Sequence, residues 1–432
     1  MGSRFDPTVG KNHKSRHTSF LFLVLSKWNY NMPIETNTKN MRSPVAGNAS
    51  ETKIVITTGL ALFAMFFGAG NILFPLYLGA NAGQNIGITT LGFLIAGVGV
   101  PFLGLIATSL FNGSYHAFFA RLGKMPGFLL ITFLIIIIGP LGAIPRTEVT
   151  TFHALQPYLP HFLDNNAIFS LFYCGLVFLL AYREAKVVEI LGLYLSPVKI
   201  VSFTALIILG FISVEAATTS PASTFQAFNK AIMNGYNTMD LLGAFFYCAV
   251  AFKSIKHATH HNPALNPTAL TVKSSIIGAG VTGAVYIGFM WIAHNHAASL
   301  QGIPEENMIS VISMLVLGKF GAIFVCVSVS FACVATALAL ADVCTIYLYE
   351  EVFQKRVSKI ACLSTVMILT YLMTNIGFQG ILRFTVPILN IVYPALIVLC
   401  ICNILHKWKG IKMVKLPVLL TGLVFAIVLY LR

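Results

Sequence analysis

Charged side chains sit inside apolar stretches of this sequence. Asp240 lies in NGYNTMDLLGAFF (Asn234–Phe246), and Arg146 and Glu148 lie in IIGPLGAIPRTEVTTF (Ile137–Phe152). Such groups are costly in hydrocarbon. They mark ligand or ion pathways, structural or coupling ion pairs, or side chains that reach back to the interface. A third stretch offers backbone rather than charge: FFGAGNILFP (Phe66–Pro75) places Gly68, Ala69, Gly70 and Asn71 in the middle of the first long apolar run. Gly and Pro weaken a helix and let backbone N–H and C=O groups leave its ladder. In hydrocarbon those groups need protein, water, an ion or a ligand. The stretch is therefore either a broken helix that builds a binding site or a close helix contact through small residues. SVSFACVATALALAD (Ser328–Asp342) offers hydroxyls on a small-residue face, for helix packing or for a cation, and TVPILNIVYP (Thr385–Pro394) is interrupted by Pro387 and Pro394. The His257–His261 cluster and His294 with His296 lack a helix-spaced carboxylate partner, which argues against metal sites. No H-E-x-x-H, G-x-S-x-G or Walker A sequence is present, which argues against a protease or an ATP-driven pump.

The elements that must hold these residues are membrane helices. Of 432 residues, 57% are hydrophobic and 10% charged, where a soluble domain has about 25% charged residues. The net charge of +14 does not point to nucleic acid, because the Lys and Arg fall in short loops between apolar spans. From Lys53 onward hydropathy and length give about eleven spans, near 54–79, 87–110, 127–150, 166–182, 187–213, 232–252, 272–293, 318–345, 360–375, 380–402 and 414–431. Loop charge alternates. Arg121 with Lys124, Arg183 with Lys186, Lys253 with Lys256, and Lys355 with Arg356 fall on one side, whereas Asp164, Glu215, Glu305 and Glu306 fall on the other. That alternation puts the N-terminus in the cytoplasm. The polar, basic tail at 1–52 reads as disordered or as a mis-called start, with Met32 and Met41 as alternatives. None of the eight Cys shows zinc-site spacing.

In order and placement, FFGAGNILFP, GPLGAIPRT (Gly139–Thr147), GYNTMDLLGA (Gly235–Ala244), ACVATALAL (Ala332–Leu340) and VPILNIVYP (Val386–Pro394) resemble the branched-chain amino acid:cation symporter family of bacteria. The resemblance runs from about Lys53 to the C-terminus. It implies an all-α polytopic protein of eleven or twelve transmembrane helices, a five-plus-five inverted repeat of the leucine-transporter type with helices 1 and 6 broken. The first repeat would be 53–213, the second 214–405, and 406–432 a peripheral span. Family members usually have twelve spans, and His153 stands where relatives often carry an acid.

The resemblance also implies a secondary transporter of the bacterial plasma membrane, importing Leu, Ile and Val, with no catalytic residues and no cofactor. Phe66, Phe67, Gly68, Ala69, Gly70, Asn71, Thr238, Phe245 and Phe246 would bind the substrate, the aliphatic chain lying among the four phenylalanines. Sodium would sit among the carbonyls of Ala64, Phe67 and Cys333 and the Thr336 hydroxyl. The neighbouring position is Ala337, without a second hydroxyl, so protons stand as the alternative driving ion. A gated channel is the competing class, but it favours rings of repeated polar residues rather than a few breaks in two halves. The sequence is silent on oligomeric state.

Overall fold

A computed structural model of the chain describes residues 50–182, 199, 201–212, 223–260, 262 and 265–431. The tail expected at 1–52 lies almost wholly outside the described residues, as does the first part of the span expected at 187–213. The described residues are helical, as backbone surrounded by lipid requires. In chain order the helices are α1 (Glu51–Phe66), α2 (Gly70–Ala80), α3 (Gly83–Ser109), α4 (Lys124–Ile138), α5 (Ala143–Leu155), α6 (Asn166–Tyr182) and α7 (Val201–Ile212). They continue with α8 (Thr224–Asn237), α9 (Asp240–Ala258), α10 (Pro267–Asn295), α11 (Met308–Tyr347), α12 (Lys359–Thr374), α13 (Gly377–Lys409) and α14 (Lys415–Tyr430).

Helices α3, α10, α11 and α13 are each long and apolar enough to cross a membrane, and so is the segment Lys124–Tyr158 that holds α4 and α5. Two further crossings are bent pairs: α1 with α2 at 73°, and α8 with α9 at 44°. Helices α6, α7, α12 and α14 are shorter apolar helices. Helix α11 bends where Gly318 adopts φ 65° and ψ −175°, the residue at which the expected span 318–345 begins. Leu171, Leu179, Leu419 and Val424 point outward, which suits a surface facing lipid rather than water.

Packing brings the breaks to the centre. Helix α10 runs along both α1 and α2, α9 packs on α3, and α11 packs along α5. With lipid tails as apolar as leucine, shape-matched contact holds such helices together. The Phe67 ring lies 5.1 Å from Phe63, 5.3 Å from Phe203 of α7 and 6.2 Å from Phe289 of α10. Aromatic pairs of this kind contribute about 0.5–1.5 kcal/mol each beyond area burial. Helix α8 approaches α3 through Gly235, where an added Cβ would come within 2.5 Å of Ala96 Cβ. Ala96 lies in a π-helical turn, Ile95–Gly99.

Candidate functional site

The first break forms because the backbone bonds at Gly68 turn aside. The Phe67 N–H closes α1 on the Phe63 carbonyl at 3.0 Å, and Phe67 itself leaves helical geometry with ψ 89°. The Gly68 N–H then donates to Asn71 Oδ1 at 3.0 Å instead of to the Ala64 carbonyl. The helix resumes when Ile72 and Leu73 N–H donate to the Ala69 carbonyl, both at 3.1 Å. Neither the Gly68 nor the Asn71 backbone N–H reaches back four residues, so the Ala64 and Phe67 carbonyls lack their helical donors. Carbonyls released in this way are available to a cation or an ammonium group.

The second break is built differently. Met239 adopts φ 63° and ψ 11°, the left-handed region, which costs a non-glycine residue about 1–2 kcal/mol. Thr238 Oγ1 donates to the Gly235 carbonyl at 2.9 Å and accepts the Asp240 N–H at 3.4 Å. The Met239 side chain fits against Gly142, where an added Cβ would come within 2.8 Å of Met239 Cε. Gly142 belongs to the gap between α4 and α5, so the third expected span is interrupted beside the second break. The two main breaks also touch. A Cβ on Gly70 would meet Thr238 Cα at 3.3 Å, and one on Gly68 would meet Thr336 Cγ2 at 3.1 Å.

A buried polar cluster ties the breaks together. Asn71 Nδ2 donates to Asp240 Oδ2 at 2.6 Å and to the Tyr286 hydroxyl, which in turn donates to Asp240 Oδ2 at 3.2 Å. The Leu241 N–H donates to the Tyr393 hydroxyl at 3.3 Å. Arg146 does not pair with Asp240. Its guanidinium donates to the Asn237 carbonyl and to Thr385 Oγ1 at 2.9 Å, and lies 5.8 Å from the centre of the Phe74 ring. The expected Arg146–Asp240 pair is thus corrected to two separate anchors. One joins α5 to α8 and α13; the other joins α9 to α2 and α10.

Between these anchors lies a narrow cavity of about 30 Å³, room for a water molecule or two, so the helices around it must part to admit a larger ligand. Among the expected substrate residues, Phe66, Gly68, Ala69, Gly70, Asn71 and Thr238 line it, as do Arg146, Asp240 and Thr336. Phe67, Phe245 and Phe246 do not. Phe67 is enclosed by other aromatic rings, Phe245 packs on Phe118 and Phe119, and Phe246 packs on Tyr115. The apolar wall is made instead by Ile138, Ala143, Met239, Tyr247 and Leu340 with Phe66. The helical period gives the reason: Asp240, Gly243 and Tyr247 share one face of α9, and Phe245 and Phe246 fall on the other.

Of the expected cation ligands, Thr336 lines the cavity, and its hydroxyl donates to the Ala332 carbonyl at 3.1 Å. Ala64 and Cys333 lie outside the lining. Cys333 is fully buried and lies within electrostatic reach of Lys199, a buried lysine that no sequence motif singles out. Tyr286, Tyr393 and Thr385 likewise belong to none of the expected site residues. The available signal for them is a hydroxyl within an otherwise apolar span. Among the described residues no group of three His, Cys, Asp or Glu converges as a metal site would require.

The known proteins this chain is similar to are carriers. The family described as "Branched-chain amino acid transport protein" matches residues 51–432. The branched-chain amino acid transport system 3 carrier protein of Pseudomonas aeruginosa is 28% identical over 388 residues, covering 88% of this chain and 87% of that one. The branched-chain amino acid permease BrnQ of Bacillus subtilis is 30% identical over 389 residues, covering 87% and 86%. Among solved structures, the inward-facing conformation of Mhp1 aligns with a TM-score of 0.61 at 14% identity, over 87% of this chain and 89% of that chain. MhsT in complex with L-phenylalanine aligns with a TM-score of 0.51 at 15% identity, over 86% and 97%. At these identities the likeness is one of fold, the inverted-repeat fold of the leucine-transporter type with its first and sixth spans broken.

Proposed function

The chain belongs to the branched-chain amino acid transport protein family, a multi-pass membrane transporter and not an enzyme, and from that membership we propose that it imports Leu, Ile and Val by cation symport. The bacterial sources of the relatives favour a bacterial plasma membrane, and the loop charges favour an N-terminus in the cytoplasm. The observation that carries the reading is the cavity at the meeting of the two breaks, lined both by polar groups and by apolar side chains.

A zwitterionic amino acid needs an anion site and a cation site a few ångströms apart. The N-terminal end of α2 presents unpaired N–H groups and a positive dipole end to the carboxylate. Gly68, Ala69, Gly70, Asn71 and Thr238 then meet the substrate backbone, and Asp240 attracts its ammonium group. The aliphatic chain lies against Phe66, Ile138, Met239, Tyr247 and Leu340. Such a wall separates substrates that differ by one methylene by only about 1–3 kcal/mol, so Leu, Ile and Val compete.

Sodium is the driving ion in this reading. The released carbonyls of Ala64 and Phe67 are hard neutral donors that suit it, with the Cys333 carbonyl and the Thr336 hydroxyl completing the set. A specific observation favours protons as the second reading. The Lys199 amine, buried beside Cys333, can take up and release a proton at the place where sodium would sit. The test is radiolabelled leucine uptake into proteoliposomes under separately imposed sodium and proton gradients. Sodium-driven uptake competed by Ile and Val, with sodium dependence lost in Thr336→Val, supports the first reading. Proton-driven uptake discards the sodium site and keeps the transporter.

A further inference from the structure

Helix α5 presents two faces with opposite characters. Ala143, Arg146 and Thr147 line the cavity. Glu148, one residue on, turns away and is completely buried. One of its oxygens accepts a hydrogen bond from Ser170 Oγ of α6 at 2.8 Å. The other, Oε2, is buried without a hydrogen-bond partner.

Among the described residues no cation pairs with this carboxyl. Neither the His116–Glu351 nor the Lys273–Glu51 ion pair includes Glu148. On its own helix, Arg146 is engaged with Asn237 and Thr385, while His153 is turned to Gln156, Glu306 and Asn307. Helix α6 contributes Tyr173 and Cys174, which are neutral groups. Helix α11 contributes Cys333, which lies within reach of Tyr173 and of Lys199. Asn166 of α6 donates to the Thr374 carbonyl of α12 at 3.1 Å, which brings Thr370 of the antiparallel α12 level with Ser170. From α13 the contact with α5 is Thr385, and Arg383 is exposed. The 305–307 turn carries Glu305 and Glu306, which lie towards Arg146 and His153.

An ionised carboxylate with no counter-charge and an unfilled oxygen is among the most costly groups a membrane interior can hold. A neutral carboxylic acid is far cheaper. We propose that Glu148 is a proton-binding site of the transport cycle, holding its proton as a neutral carboxylic acid while it is buried between α5 and α6. When α5 and α6 part and water reaches the side chain, the acid dissociates to carboxylate and one proton passes to water. Reprotonation from the other side of the membrane restores it, and no other reactant is needed. The link to substrate is short: the Tyr173 hydroxyl, beside Glu148, donates to Oγ1 of the cavity-lining Thr147 at 3.1 Å. Occupancy of the cavity is thereby felt at the α5–α6 contact. The proposal rests on the transport reading and on protons moving in the cycle, whether or not sodium moves as well.

The test compares wild type with Glu148→Gln, which keeps the shape and the Ser170 contact but fixes the neutral form. Leucine counterflow is expected to persist in Glu148→Gln, while uptake driven by an imposed pH gradient falls to background. The pH profile of counterflow is expected to flatten. Proton-driven uptake in Glu148→Gln equal to that of wild type overturns the proposal. Absence of leucine counterflow in wild type overturns the transport reading instead, and infrared spectroscopy then decides Glu148 on its own. A protonated-carboxyl stretch present in the purified wild type and shifted in Ser170→Ala supports the proton site even if Glu148→Gln fails to fold. No such band, or one that Ser170→Ala leaves unmoved, overturns it.

Discussion

The two breaks that frame the cavity solve one problem with different chemistry. At the first, the sequence supplies Gly68 and Gly70, and the Asn71 side chain replaces a lost helical acceptor. At the second there is no glycine at the turn. Met239 holds a left-handed conformation, over-determined by its packing on Gly142 and by the Thr238 and Asp240 bonds on either side. Small residues at the first break let its backbone come close to Thr238 and Thr336, whereas a large residue at the second fills space and shapes the apolar wall. One broken helix therefore reads as the polar half of the site and the other as its apolar half, with Asp240 and Asn71 as the join.

That division is most easily broken at Gly70. Gly70→Leu pushes a side chain into a place where even a Cβ meets Thr238 Cα at 3.3 Å. Misplacement of this order costs about 10²-fold, so leucine uptake should be lost while the protein still reaches the membrane. Asp240→Asn removes the charge from the join. Losing a hydrogen-bonded charge costs about 1.5–3 kcal/mol, and leucine binding should weaken by roughly one to two powers of ten in equilibrium dialysis. Tyr286→Phe deletes one neutral hydroxyl from the same cluster. A bond of that kind contributes about 0.5–1.5 kcal/mol, so a several-fold weakening is expected in the same assay. Met239→Gly sharpens the contrast. It relieves the left-handed strain but frees the unfolded chain, two effects of about 1 kcal/mol that oppose each other. Loss of the Met side chain, which is fully buried, costs about a further 2–5 kcal/mol, so thermal stability should fall, and discrimination among Leu, Ile and Val should worsen in competition assays. Unchanged stability in Met239→Gly would contradict the view that packing, not the local backbone, fixes the second break.

Much of the site is legible in the amino-acid sequence. A Gly-Ala-Gly-Asn run in an apolar stretch has few uses, and Arg146 and Asp240 are conspicuous wherever lipid surrounds them. What the sequence hides is partnership. Asp240 meets Asn71 and Tyr286 rather than Arg146 because α2 and α10 are its neighbours, and neighbourhood is a property of the whole bundle. Proximity to Asp240 along the chain favours Phe245 and Phe246 for the pocket. The helical period, counted from Asp240, selects Gly243 and Tyr247 instead. Glu148 reads as one more polar residue in a Thr-rich run. Only its burial against Ser170 sets it apart.

The central claim is that the meeting of the two breaks is where the substrate lies. The most direct measurement is a cryo-electron microscopy map of the protein with leucine bound. The account predicts leucine density with its carboxylate and ammonium between the Gly68–Asn71 segment and Asp240, and its side chain towards Tyr247 and Leu340. Leucine density elsewhere, with this cavity closed by side chains, would contradict it.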